Sequence, residues 1–230
     1  MTYAFELAGI SFEVEYRNVK TLRLTVYPPD GRVRIAAPAG AAPEFIRDFA
    51  ASKIKWIEKH RERFLNHSKL ISTLRNNSTV YVWGLAYELE LVERPGNPKI
   101  AIANGHMTMY VRPGSPKAKR QEFLDRWYRR ILKETASAII EKWEGRIGVE
   151  VKKLYVRKMR SHWGSCNYKK QTVRLNSELA KRKIECLEYV IVHEMLHIIE
   201  NGHNRNFYRL LNQYMPDWKS IRKKMNTGDL

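Results

Sequence analysis

Cysteine is nearly absent: Cys166 and Cys186 are the only two in 230 residues. That is too few for the disulfide framework that staples small secreted domains, and it fits a reducing cytoplasm. Proline and glycine are sparse as well, at 9 and 12 residues without a period, which excludes collagenous and low-complexity chains. No apolar run reaches the roughly 18 to 20 residues needed to span a bilayer. The most apolar stretch, Tyr189 to Ile199, is shorter and carries two histidines and a glutamate, so no membrane partner is expected. Met1-Thr-Tyr-Ala-Phe-Glu-Leu7 has neither a basic leader nor a small-residue cleavage site behind it, and no secretory signal is expected. The last shortfall is acidic: 24 Asp and Glu stand against 42 Lys and Arg, a formal charge of +18. Such a surface attracts polyanions, nucleic acid first.

What is present is ordinary globular usage, 43% hydrophobic and 29% charged, enough for a sizeable core. Up to Pro38 the chain alternates in short pieces, Phe12 to Tyr16, Leu22 to Val26 and Val33 to Ile35, around Pro28-Pro-Asp-Gly31. That pattern predicts antiparallel strands and a tight turn. Pro43 to Phe64 has helical spacing, with a break near Ser52. After a polar loop from Asn66 to Ser78, four more strands are predicted at Val80–Trp83, Tyr87–Leu91, Lys99–Ala103 and His106–Val111. Pro113-Gly-Ser-Pro116 ends the alternation, so two regions are expected: a β-rich 1–113 with one amphipathic helix, and 114–230. The second region should hold a helix from Lys117 to about Gly145, with Phe123, Trp127, Ile131, Ala136, Ile139, Ile140 and Trp143 inward. A strand at Lys153–Val156, a hairpin partner at Thr172–Asn176 and a second long helix from Ile184 to about Glu200 follow. The fold class is α+β. No internal repeat is evident.

Inside that second helix lies His193-Glu194-Met195-Leu196-His197. Residues four apart share one helix face, so both imidazoles can aim at one metal ion. Glu194 is rotated by about 100° from His193, which sets its carboxylate beside the metal as a base for water. A catalytic zinc keeps three protein ligands and an open position, whereas a structural one is closed by four. His203 follows His197 by six residues, and Asn201-Gly202 can supply a left-handed turn that swings it back. The metzincins share this histidine spacing, but where they place glycine three residues after the second histidine this chain has Glu200. His60 and His67, in basic surroundings near a helix end, and His106, in a turn, read as surface residues.

Three stretches together carry a resemblance: Arg160-Ser-His-Trp-Gly-Ser-Cys166; Leu175-Asn176 before Tyr189-Val-Ile-Val-His-Glu-Met-Leu-His197; and Asn201-Gly-His203 with Asn206-Phe-Tyr208 and Met215-Pro-Asp-Trp218. The sequence resembles the YgjP-like family of metal-dependent hydrolases, a zincin branch related in architecture to the SprT-like and WLM proteases. The likeness is close over residues 117 to 225 and loose before them. It implies a zincin-like metallopeptidase domain in which His193, His197 and His203 bind one Zn2+ and Glu194 is the general acid and base. His162 departs from the arginine the family commonly has before Trp-Gly-Ser-Cys.

By itself, the Trp-Gly-Ser-Cys segment reads as a strand-to-strand turn beside the cleft, with Gly164 permitting the reversal and Trp163 packing. His162 is an auxiliary candidate, able to donate to an oxyanion. A Cys166 thiolate brought to the metal as a fourth ligand would close the site and argue against catalysis. The expected function is a cytoplasmic zinc peptidase acting on proteins or peptides. The basic stretches leave two rivals, a peptidase recruited to nucleic acid and a non-enzymatic DNA-binding module with structural zinc. Nothing in the pattern specifies an oligomer.

Overall fold

A computed structural model describes residues 2–27, 31–58, 61, 74–159 and 162–227. His60, His67, Arg160 and Ser161 therefore lie outside the described residues, as does most of the expected 66–78 loop. The chain forms two compact units, Met1–Ser72 and Thr73–Leu230.

In the first unit, β1 (Thr2–Leu7), β2 (Ile10–Arg17), β3 (Arg23–Tyr27) and β4 (Arg32–Pro38) form one sheet in the order β1-β2-β4-β3. The expectation of an all-antiparallel set fails at its centre, where β2 and β4 run parallel, Val14 opposite Ile35. Helix α1 (Pro43–Ser52) ends where the break was expected, and residues 54–58 are again helical. Phe12, Val14, Val33 and Ile35 from the strands close a core with Ile46, Ala50 and Ile57. Trp56, by contrast, is 44% exposed.

The second unit begins with β5 (Ser78–Val82), β6 (Leu85–Glu93), β7 (Lys99–Ala103) and β8 (His106–Val111), in the order β5-β6-β8-β7. The pairing is that of the first sheet: antiparallel, parallel, antiparallel. Each opening hairpin turns through two positive φ angles, Ala8-Gly9 at 50° and 69°, Trp83-Gly84 at 51° and 80°, the requirement of a two-residue type I′ loop. Gly9-Ile-Ser-Phe-Glu-Val-Glu15 and Gly84-Leu-Ala-Tyr-Glu-Leu-Glu90 occupy equivalent places. The chain thus contains a repeated four-strand unit that its sequence alone did not disclose, because apolar positions interchange Phe, Tyr, Ile, Leu and Val.

This second sheet belongs with the helices that follow, which moves the boundary from 113 to 72. Val80, Leu89, Met107 and Met109 share one buried core with Leu124, Tyr128 and Leu132 of α2 (Lys117–Ile147). Helix α2 ends at Gly148, in the left-handed region at φ 78. Its deepest stripe is Leu124, Tyr128, Leu132, Ala136, Ile140, Trp143 and Ile147. Phe123, Trp127, Ile131 and Ile139, expected inward, are only partly buried. A helix packed on a sheet and on a second helix buries a wider arc than one stripe.

A three-stranded sheet, β9 (Lys153–Arg157), β10 (Gly164–Asn167) and β11 (Thr172–Asn176), has β11 in its middle; it is not the hairpin partner expected for Lys153–Val156, since it runs parallel to β9 and makes its antiparallel pair with β10. Helix α3 (Ile184–Ile199) packs on it, followed by α4 (Arg205–Tyr214) and α5 (Trp218–Thr227). Two contacts fix α3 at its flanks. The Trp83 N–H donates to the Ala180 carbonyl at 2.9 Å just before the helix, and Trp143 Nε1 and Lys142 Nζ both donate to Glu188 Oε1, at 2.8 and 2.9 Å.

Candidate active site

Leu187, Ile191, Val192, Met195 and Leu196 bury one side of α3. The opposite side turns His193, Glu194 and His197 to a cleft of about 630 Å³, which His162, Gly164, Cys166, His203 and Arg222 also line. His193 and His197 share a face, as the spacing of four demands.

His203 reaches them without a left-handed residue. Gly202 is not among the positive-φ glycines, so the expected turn at that position gives way to another device. Helix α3 stops at Ile199, and Glu200 is extended at φ −129 and ψ 105. The Glu200 carbonyl accepts from His197 Nδ1 at 3.0 Å, and its carboxylate accepts from Asn206 Nδ2 at 3.1 Å. Hydrogen bonds from Asn206, and then from Asn204 and the Gly202 N–H, hold that carboxyl below its ordinary range. Asn204 in turn accepts the Phe207 N–H at 3.0 Å and caps α4. Thus Glu200, which stands where metzincins have glycine, organises the return.

The outcome is a cluster whose ring nitrogens lie within 4.8 Å of one another, His193 Nε2 and His203 Nε2 being 3.0 Å apart. Fully buried Phe207 packs against all three rings, with centroids 5.0, 4.6 and 4.8 Å from those of His193, His197 and His203. A carbonyl can only accept, so His197 carries its proton on Nδ1 and keeps the Nε2 lone pair for the cluster. Burial pushes the His193 pKa down to about 3, helped by His197, His203 and Arg222. Burial, then His197 and Arg222, lowers that of His203 as well. Both rings are therefore neutral, the form that binds metal. His193 Nδ1 is buried without a partner among the described residues.

Glu194 is 6% exposed, and burial pushes its carboxyl up to about 8. Gly164 makes room for it: a Cβ there would sit 2.7 Å from Glu194 Oε1 and 2.8 Å from both its Cγ and Val190 Cγ1. The reversal expected at Gly164 falls instead at Tyr168–Gln171, where Gln171 takes φ 46. Buried Asn176, prominent in sequence only through the resemblance, clamps the strand's approach. Its Nδ2 donates to the carbonyls of Met159 and His162, each at 2.9 Å, and its Oδ1 accepts the N–H groups of Met159 and Glu178, each at 3.2 Å. His162 is exposed on the cleft wall. Cys166 is half-buried, and burial, with the Glu194 carboxylate, pushes its thiol up to about 11.

These residues fit a metal ion. Imidazole nitrogens around a tetrahedral zinc at 2.0 to 2.1 Å stand about 3.3 Å apart, close to the observed 3.0 Å pair. Among the described residues Cys166 is outside the ligand group, so three protein donors leave a position open. His106 sits on β8 beside Glu88, 3.7 Å away, and takes no part.

The family model described as YgjP-like, metallopeptidase domain, matches residues 20–228, reaching well into the half where the sequence likeness was loose. No curated protein matches the chain. Two solved structures are similar to part of it: the metallopeptidase zymogen abylysin of Pyrococcus abyssi, 18% identical with a TM-score of 0.38 over 40% of this chain and 93% of that one, and the zymogen jannalysin of Methanocaldococcus jannaschii, 22% identical with a TM-score of 0.35 over 43% and 97%. No described helix is long and apolar enough to cross a membrane.

Proposed function

The chain belongs to the YgjP-like metallopeptidase family, and from that premise we propose that His193, His197 and His203 hold one zinc ion while Glu194 serves as general base and acid in peptide-bond hydrolysis. One observation carries the reading: three imidazoles converge within 4.8 Å on a cleft that also holds a buried carboxylate. An all-imidazole set suits zinc, and three protein ligands with an open position suit catalysis rather than structure. The non-enzymatic module would need a fourth protein ligand, and Cys166 stands outside the group.

When bound, zinc supplies Lewis acidity that polarises the scissile carbonyl and brings the pKa of water to about 7. The charge of a bound metal beside Glu194 would offset the burial that raises its pKa, and as a carboxylate this residue takes the water proton and returns it to the leaving amine. Gly164 keeps the strand clear of that carboxylate, and Glu200 and Asn204 hold the loop that presents His203. His162, on the cleft wall, donates to the oxyanion. Substrates are proteins or peptides, met in a reducing cytoplasm where both cysteines stay free.

Glu194→Gln should keep stoichiometric zinc, by elemental analysis, and lose about 10² to 10⁴ in kcat on a peptide that the wild type cleaves. Undiminished hydrolysis would end the assignment. His193→Ala should lose the metal; a variant that keeps one zinc per chain would point to other ligands.

A further inference from the structure

The cleft also holds a cation that hydrolysis does not use. Arg222 of α5 lines the same cleft as the three histidines and Glu194, and its charge contributes to the lowered pKa values of His193 and His203. Among the described residues it has no carboxylate partner. Its neighbours differ: Lys224 pairs with Glu185 at 3.1 Å.

The guanidinium is also held in place. It lies 5.9 Å from the Trp218 ring centroid. Trp218 is buried, donates from Nε1 to Asn212 Oδ1 at 2.7 Å, and stacks on Tyr208 at 5.6 Å and 23°. Tyr208 continues to His203, with ring centroids 6.3 Å apart. Arg222, Trp218, Tyr208 and His203 thus follow one another along one aromatic wall, stacked at Tyr208–Trp218 and tilted at Tyr208–His203, that leads from the cation to the proposed metal ligands. A planar guanidinium braced on an aromatic face loses little freedom on binding, and its donor fork matches a carboxylate in two bonds.

We propose that Arg222 forms a substrate subsite for a carboxylate close to the scissile bond, so that the enzyme selects peptides bearing an acidic side chain or a free C-terminus there. The proposal rests on the peptidase reading for its substrate class. Arg222 is exposed on the cleft wall, so a neutral substrate group leaves the cation to water, a carboxylate gains the charge-assisted pair, and a like charge is repelled, which is how a single residue gives specificity.

The test uses matched labelled peptides: Glu against Gln near the scissile bond, both C-terminally amidated, and a neutral peptide with a free or an amidated C-terminus. Binding is read by fluorescence anisotropy on zinc-loaded Glu194→Gln, which separates it from turnover, and kcat/KM is read on the wild type. The carboxylate member of at least one pair should be favoured about tenfold or more, and whichever pair shows this names the source. Adding Arg222→Gln should bring that ratio to near one, Arg222→Lys should restore part of it, and Arg222→Glu should favour a Lys peptide. Circular dichroism of each variant guards against misfolding, and the wild-type ratio decides the matter if a variant fails to fold. A wild-type ratio near one in both pairs, or a ratio unmoved by Arg222→Gln, overturns the subsite. So does Arg222→Gln weakening a DNA oligonucleotide while the peptide ratio stands, which would assign the cation to phosphate. Selective binding without hydrolysis by the wild type would sink the peptidase reading alone.

Discussion

Gly164 lacks a side chain because Glu194 occupies the space one would need. With a Cβ placed 2.7 Å from Oε1, Gly164→Ala should displace the carboxylate and cost about 1 to 3 kcal/mol from overpacking. Zinc content should persist while kcat falls, and a variant with wild-type kcat would show that the strand yields instead. Cys166 is governed by the same burial. Its thiol is pushed from 9.0 up to about 11, and burial disfavours the charged form, so the reactive thiolate at pH 8 should be about a hundredfold scarcer than for an ordinary thiol. Alkylation of the Cys166 peptide, followed by mass spectrometry, should be slow and still climbing at pH 10; a plateau near pH 9 would contradict the shift. Asn176 acts through its amide, with four hydrogen bonds onto the strand approach and the turn after it. Asn176→Ala should cost about 2 to 4 kcal/mol at roughly 1 kcal/mol per lost bond, with faster amide exchange at Met159.

At the scale of elements, the turn from α3 into α4 decides whether the third histidine arrives. An HExxH helix delivers two ligands by geometry alone, but a third six residues on depends on how the chain leaves the helix. Here the work falls to a carboxylate: Glu200 gathers Asn206, Asn204 and the Gly202 N–H. Glu200→Ala should therefore leave helicity by circular dichroism unchanged and lower zinc affinity about 10- to 100-fold, the usual range for residues that orient ligands. Affinity equal to wild type in a chelator competition would mean that the Asn204 cap is sufficient. In sequence, Glu200 showed only as a missing glycine, since nothing in a single residue type says that its carboxylate will bridge backward and forward at once. Phe207 was equally quiet, an apolar residue whose place against three imidazoles depends on the angle between two helices.

At the scale of the molecule, the four-strand unit occurs twice, and its copies have different neighbours in sequence: α1 after one, the long α2 after the other. The second copy shares a core with α3, while the first has its own. A chain of residues 73–230 should therefore unfold cooperatively and bind zinc with the affinity of the whole protein, measured by calorimetry and chelator competition. Loss of cooperativity would show that 1–72 completes the fold. Charge follows the same division: residues 73–230 hold 30 of the Lys and Arg and 16 of the Asp and Glu, so +14 of the +18 belongs to the unit with the cleft.

The sequence by itself determined the elements that depend on near neighbours. Alternation marked the strands from β5 to β8, periodicity gave α2 and α3 nearly to the residue, and the spacing of four put His193 and His197 on one face. Tertiary structure decided what depends on distant partners: that β2 and β4 run parallel, that the boundary lies at 72, that Gly164 provides clearance rather than a turn, and that Arg222 shares the cleft with His203. The physical reason is that backbone periods are written every two or four residues, whereas a close approach between two segments is recorded only as the absence of a side chain or of a counter-charge, which the sequence shows without saying what stands opposite.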